Sequence, residues 1–194
     1  MPYVHIGLIF CVLYGLTLQP ELYWYFVWFC MHFIIITFGI HFTFHRLFSH
    51  KSFQTTKFIE CIGTLFGCLA MSGSSIGWSG VHIQHHRYSD TIKDPHPRSR
   101  GWKLALGFID HSIVKKRSFL PIAHLTKDPF HSIVHKYQVY IVFVWWILCY
   151  IMFGIEGLFF LGLMPSSTAG LATQVSNMFI HKNDEPVNLS LIHI

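Results

Sequence analysis

The sequence predicts an all-α integral membrane protein with four transmembrane helices, an interfacial helix and a histidine-rich site on the cytoplasmic face. Three observations carry that reading. Of 194 residues, 52% are hydrophobic and only 12% charged, with a mean hydropathy of +0.44, far less charge than soluble domains carry. Long stretches contain no charge at all. Histidine is over-represented: 15 residues, against 14 Lys and Arg together. This composition excludes disorder and argues against an ordinary soluble domain. The length suits one membrane domain without room for a second large one.

Four stretches are candidates to cross a bilayer, for which about 20 apolar residues are needed. Residues 4–18 are short but nearly all apolar, and Gln19-Pro20-Glu21 then breaks the pattern. Residues 22–40 follow with no charge, so the pair reads as a helical hairpin rather than a signal peptide, which would need a basic start. Residues 137–154 and 157–180 are the third and fourth. Residues 58–81 are apolar enough to be a fifth, but carry Glu60 and the run Ser72-Gly73-Ser74-Ser75. A crossing there would separate the histidines on its two sides, so the expectation is an interfacial or partly buried helix.

Charge gives the orientation. Residues 1–40 hold no Lys or Arg, whereas 13 of the 14 basic residues fall between Arg46 and Lys136. Beside apolar spans this reads as the positive-inside signal, placing residues 41–136 and both chain ends in the cytoplasm. No nucleic-acid-binding motif accompanies the basic cluster. The five cysteines are scattered in apolar stretches without CxxC pairing, which speaks against a disulfide framework or thiolate metal site.

The histidines fall into three groups. His45 and His50 form HxxxxH. Five residues of α-helix turn about 500°, leaving the rings about 140° apart. The sequence therefore predicts a helix end that unwinds into a turn. His82, His85 and His86 form HxxHH, whose offsets of three and four bring rings together on one helical face. His181 ends the fourth stretch, with Asn177 one turn earlier, and the topology returns it to the same membrane face. Five imidazoles crowded at one surface repel one another as cations, and a metal role answers that. Imidazole alone does not select among zinc, copper, iron and nickel, but five or six histidines exceed what one ion usually takes. Asp90 and Asp94 read either as acceptors orienting ring N–H groups or as a solvated loop. His5 and His32 are assigned to hydrogen-bonded structure. His41 reads as a partner of the cluster or as packing, and His111, His124, His131 and His135 as interfacial or loop residues.

At these residues the chain resembles the membrane fatty-acyl desaturases, specifically the acyl-CoA Δ9 branch. Gly39-Ile-His-Phe-Thr-Phe-His45-Arg-Leu-Phe-Ser-His50-Lys-Ser-Phe53 is similar to the family's first histidine box. Trp78-Ser-Gly-Val-His82-Ile-Gln-His85-His86-Arg-Tyr-Ser-Asp90-Thr-Ile-Lys-Asp94-Pro-His96 is similar to its second. Lys127-Asp-Pro129 and His135-Lys-Tyr137 resemble the approach to the third span. The resemblance implies a non-haem di-iron enzyme that uses O₂ and two electrons to convert a saturated fatty acyl chain to a cis alkene. Two iron ions would be held by His45, His50, His82, His85, His86 and His181, with Asn177 reaching iron through water. Trp78 would line the acyl tunnel or anchor at the interface. Arg98, Arg100 and Lys103 would meet substrate phosphates or simply be membrane-surface charges. Partners implied are an acyl-CoA or acyl-lipid substrate, O₂, a ferredoxin-like or cytochrome b5-like electron donor and the bilayer, but no nucleic acid.

The family's third box, a further HxxHH, has no counterpart before the sequence stops. Residues 189–194 match the translation of a transposase adapter end used in sequencing libraries. The expectation is an incomplete desaturase domain over residues 1–188, which alone binds iron poorly and is inactive. Two rival readings are an alkane or sterol hydroxylase of the same superfamily and a metal-binding or transport protein. Transport needs ionisable groups near mid-bilayer, whereas these histidine groups lie at span ends.

Overall fold

The computed structural model describes residues 2–89, 91, 93–95, 102–105 and 120–179, and these are helical or connecting segments without a strand. Helix α1 (Pro2–Thr17) ends in a turn at Gln19, whose φ is +47°, and α2 (Leu22–Ile34) follows. The chain does not leave the helix at Ile34. It continues as a π-helical stretch, Ile35–Ser49, so the second apolar run and the HxxxxH form one continuous element. Hydroxyls reinforce the wider winding: Thr43 donates to the Phe38 carbonyl at 2.7 Å and Ser49 to that of Phe44 at 2.8 Å, each five residues back. The helix end and turn fall at Ser49–Ser52 as expected, but His45 and His50 are drawn together by π-helical winding before the turn rather than by unwinding. Helix persists through Ser49, and the chain turns only at Lys51, with φ +51°.

Residues 58–81 are likewise not one helix. They divide into α3 (Lys57–Leu69) and α4 (Ser75–Tyr88). Met71 at φ +56° and Gly73 at φ +121° turn the chain, and the Ser74 hydroxyl caps α4 by accepting the Gly77 N–H at 3.1 Å. Helix α3 crosses the π-helical stretch at backbone contact: a Cβ on Gly39 would lie 2.6 Å from Gly67 N and 2.7 Å from the Phe66 carbonyl carbon. Gly67 in turn admits the Phe44 ring. This crossing sets the height of His45 and His50 above the core. Gly39→Ala should cost about 1–3 kcal/mol, the usual penalty for overpacking, seen as a lower unfolding midpoint in detergent. An unchanged midpoint would show that the two backbones can separate freely.

After the four-residue α5 (Trp102–Ala105), a 3₁₀ turn (Leu120–Ile122) and α6 (Ala123–Thr126) lead into α7 (Pro129–Glu156). Asp128 caps α7, accepting the Phe130 and His131 N–H groups, with Pro129 at the first turn. The helix that carries the third apolar stretch thus begins eight residues before 137, where the apolar run starts. Gly154, at φ +68°, reverses the chain. A second π-helical stretch (Gly157–Leu163) and α8 (Met164–Phe179) then run back along α7. Trp145 Nε1 donates to the Leu161 carbonyl at 3.3 Å, although a continuous helix would separate those residues by roughly 24 Å.

Helices α1 and α2 pack on this returning limb through Trp24, Phe159, Phe160 and Met164. Trp28 and His32 both bond Thr168, so His32 has the structural partner expected of it. A second core of Phe44, Phe48, Leu69, Ile76, Ile122, Leu125 and Val134 joins the π-helical stretch to α3, α4 and α7. Two runs, Leu22–Ser49 and Pro129–Ser176, are long and apolar enough to cross a bilayer. Their outward faces fit hydrocarbon: Phe26, Phe29, Ile151 and Met152 are each more than 60% exposed. The 16 residues of α1 reach about 24 Å, short of a bilayer's ~30 Å core.

Candidate metal centre

The π-helix resolves the spacing problem of HxxxxH. With i→i+5 bonding, residues five apart stack on one face, and the His45 and His50 Nε2 atoms lie 3.0 Å apart. On α4, His82 and His86 occupy successive turns, with their Nε2 atoms 2.9 Å apart. The two elements meet where His50 Nε2 comes within 3.3 Å of His82 Nε2. The coordinating nitrogens of His45, His50, His82 and His86 all lie within 4.8 Å of one another.

Hydrogen bonding alone does not account for this arrangement. A neutral imidazole Nε2 carries either one hydrogen or one lone pair, so it makes one hydrogen bond in the ring plane. Yet His50 Nε2 has two such neighbours, and so does His82 Nε2. Nitrogens about 2.0–2.1 Å from one tetrahedral ion would stand roughly 3.4 Å apart, close to the spacing here. The donor set fits a shared divalent cation. The site also suits positive charge at the C-terminal end of α4, where helix carbonyls point outward.

Protonation is set the same way. His82 is 7% exposed, and burial, then the neighbouring imidazoles of His86, His45, His50 and His85, push its pKa well below 6.5. Burial also lowers His50. Both are neutral at physiological pH, the form that binds metal. Trp78, one turn before His82, stacks on its ring at 4.6 Å and meets the His45 ring edge-on at 6.3 Å, walling one side of the cluster.

His85 points elsewhere. Its Nδ1 lies 2.9 and 3.0 Å from the two Asp94 oxygens, and both residues are buried. Asp94 is therefore buried against His85 rather than exposed to solvent. His41, exposed on the π-helical stretch, has its ring 6.2 Å from that of His45. Lys103 is exposed on α5, which packs against α8. Asp90, His96, Arg98, Arg100, His111, His181 and residues 189–194 lie outside the described residues, as do the side chains of His5 and Asn177. An apolar groove between α3 and α7, lined by Phe66, Leu69, Ile141 and Trp145 among others, contains none of the cluster's histidines.

Sequence reasoning passed over the polar residues that seat α4. Ser79 donates to the Phe44 carbonyl at 3.4 Å, and Ser75 and Ser74 bond His131 and His135. The i, i+4 spacing of those histidines behind an Asp-Pro helix start was the available signal.

Comparison with known proteins bears on the chemistry. The sequence model of a family described as "Fatty acid desaturase" matches residues 22–190. The sn-1 stearoyl-lipid 9-desaturase of Anabaena variabilis is 39% identical over 108 residues, covering 53% of this chain and 39% of that protein. The sn-2 palmitoyl-lipid 9-desaturase of Nostoc sp. (strain 36) is 32% identical over 147 residues, 68% of this chain and 50% of that protein. The acyl-CoA Delta(11) desaturase of Trichoplusia ni is 33% identical over 150 residues, 71% of this chain and 40% of that protein. The chain therefore spans half or less of the length of each of these relatives. Lipid-acting and CoA-acting relatives both match, so the similarity does not single out the acyl-CoA branch.

Proposed function

The chain belongs to the membrane fatty acid desaturase family, and from that premise we propose that it forms the histidine-ligand core of an enzyme introducing a cis double bond into a fatty acyl chain at carbon 9. The observation carrying this reading is the convergence of four Nε2 atoms within 4.8 Å, linked by three close contacts of which hydrogen bonding can supply two. Two relatives named above act at position 9, on acyl-lipids; for this chain the carrier is a glycerolipid or CoA.

When bound, a pair of irons supplies activation of O₂ and abstraction of two hydrogens from adjacent methylenes, with two electrons and two protons completing the reduction of O₂ to two waters. The chain's own residues supply the rest. His45, His50, His82 and His86 present lone pairs in a fixed array. Asp94 accepts the His85 Nδ1 hydrogen, which leaves the His85 lone pair on Nε2 and makes that ring the better ligand. His181 and Asn177 complete the set in this reading. Trp78 stacks against His82 and closes one side to water, which favours chemistry on an unactivated C–H bond. Its apolar face suits an acyl chain that offers no polar handle near the reacting carbons. Arg98, Arg100 and Lys103 would hold the substrate headgroup, while Asp90 would join Asp94 in orienting the histidines.

In this reading the α1–α2 and α7–α8 hairpins both cross the membrane, for four passes in all. Residues 41–136 and both termini face the cytoplasm, following the positive charge. That basic face steers an acidic ferredoxin-like or cytochrome b5-like donor. The test is expression of the gene in a host lacking Δ9 desaturation, with chromatography and mass spectrometry of its fatty acids. A new cis-9 alkene supports the proposal; an alcohol without an alkene establishes the hydroxylase reading instead.

A further inference from the structure

The two histidines at the foot of α7 have specific partners on the helix that carries the second histidine box. His131 is 1% exposed. Its Nε2 lies 2.9 Å from Glu60 Oε1, and its Nδ1 2.9 Å from Ser75 Oγ. Hydrogen bonds from Lys57 and His131 outweigh burial and hold the Glu60 carboxyl below its ordinary range, so it only accepts. The His131 hydrogen is therefore on Nε2, and Ser75 donates to Nδ1. One turn along α7, His135 Nδ1 meets Ser74 Oγ at 2.6 Å. That hydroxyl also accepts the Gly77 N–H, so it joins His135 to the first turn of α4. Lys57 bridges Glu60 and Asp128, the N-cap of α7, tying the starts of α3 and α7 together. The lysine ammonium sits where a cation would sit among Glu60, Asp128 and His131, which makes this group a structural network rather than a second metal site.

We propose that His131 and His135 are positioning residues: they clasp the first turn of α4 through Ser75 and Ser74, and so fix the height and rotation at which His82 and His86 meet His45 and His50. The proposal rests on reading the four-histidine cluster as a metal centre. Ser75 and His82 are seven residues apart, two turns or about 10 Å along one face. A tilt of about 10° at the foot of α4 displaces His82 by roughly 2 Å over that length, enough to spoil a site whose nitrogens stand near 3 Å apart. Ser79, between them, adds a contact to the Phe44 carbonyl, so α4 is held from two sides.

The test is a Co²⁺ titration of the purified chain in detergent, read by visible absorption, with amide hydrogen exchange of α4 followed in parallel. His131→Ala should weaken Co²⁺ binding about 10-fold or more, as for loss of other groups that support metal ligands, and should speed exchange in α4 selectively. His131→Gln, which keeps a donor for Glu60, should restore most of the affinity. Ser75→Ala removes a single hydroxyl, and should weaken binding even if His131→Ala fails to fold. Parental affinity in both His131→Ala and Ser75→Ala, or unchanged exchange in α4, overturns the clasp. His82→Ala is the reference: if it alone weakens binding, the clasp fails and the metal reading stands. If His82→Ala binds Co²⁺ as the parent does, the metal reading itself fails.

Discussion

His82→Ala should lower the affinity of the chain for Co²⁺ or Fe²⁺ by at least about 100-fold, beyond what loss of a ligand's supporting partner causes. The ring sits at the centre of the cluster. Its Nε2 faces both His50 and His86, its ring lies 4.7 Å from that of His45, and Trp78 covers its face. Removing it takes away the nitrogen that links the π-helical stretch to α4 through the His50–His82 approach. Arg87→Ala, an exposed change on the same helix, is the control and should leave metal binding within about twofold of the parent, as surface substitutions usually do. Equal losses in both variants would mean that helix stability, not ligation, governs binding.

The same residue sets a pH dependence. In the unfolded chain His82 titrates near 6.5, whereas the fold holds it well below that value. His50 shifts in the same direction. As pH falls below about 6.5 the unfolded state takes up protons that the folded state refuses, so stability is full above that pH and is lost beneath it. The metal-free chain should therefore show a falling unfolding midpoint between pH 7 and 5, measured in one detergent at constant salt. The decline should be shallower in His82→Ala. A midpoint flat across that range would place His82 in water rather than in a buried cluster.

What the sequence disclosed depended on how local the determining physics was. HxxHH was legible because α4 is an ordinary α-helix, where offsets of three and four align by geometry alone. HxxxxH was legible as a pair but not as a shape. Its convergence depends on π-helical winding supported by Thr43 and Ser49, and no periodicity of apolar residues announces a fifteen-residue stretch of that kind. The Gly154 reversal was readable as a boundary between two apolar stretches, and the structure places it within one residue of the expected end. The division of 58–81 into two helices was foreshadowed by the Ser-Gly-Ser-Ser run, whose turn and cap chemistry was subordinated to hydropathy. The i, i+4 spacing of His131 and His135 was legible, but their partners were not, for another reason. A histidine's partner some 60 residues away in sequence is a tertiary fact.

Asp94 offers the other large effect, because its substitutions act on a proton position rather than on packing. The carboxylate is 1% exposed and places both oxygens on His85 Nδ1. That contact makes Nδ1 the protonated nitrogen and leaves Nε2 with the lone pair, the arrangement in which an imidazole can bind metal. Asp94→Asn keeps an oxygen acceptor of similar shape but removes the charge beside the ring. Asp94→Ala removes the acceptor, so the hydrogen is free to move to Nε2 and block the coordinating position. Loss of metal affinity should therefore be graded, about 10-fold for Asn and nearer 100-fold for Ala, across the range seen when partners of ligating histidines are removed. Competition against a chelator of known affinity measures both. A purely structural role for Asp94 predicts the reverse emphasis: large losses in unfolding midpoint for both variants, with affinity unchanged in whatever protein remains folded. Asp94→Ala with parental affinity would remove His85 from the ligand set and leave the four converging nitrogens as the whole of the site in this part of the chain.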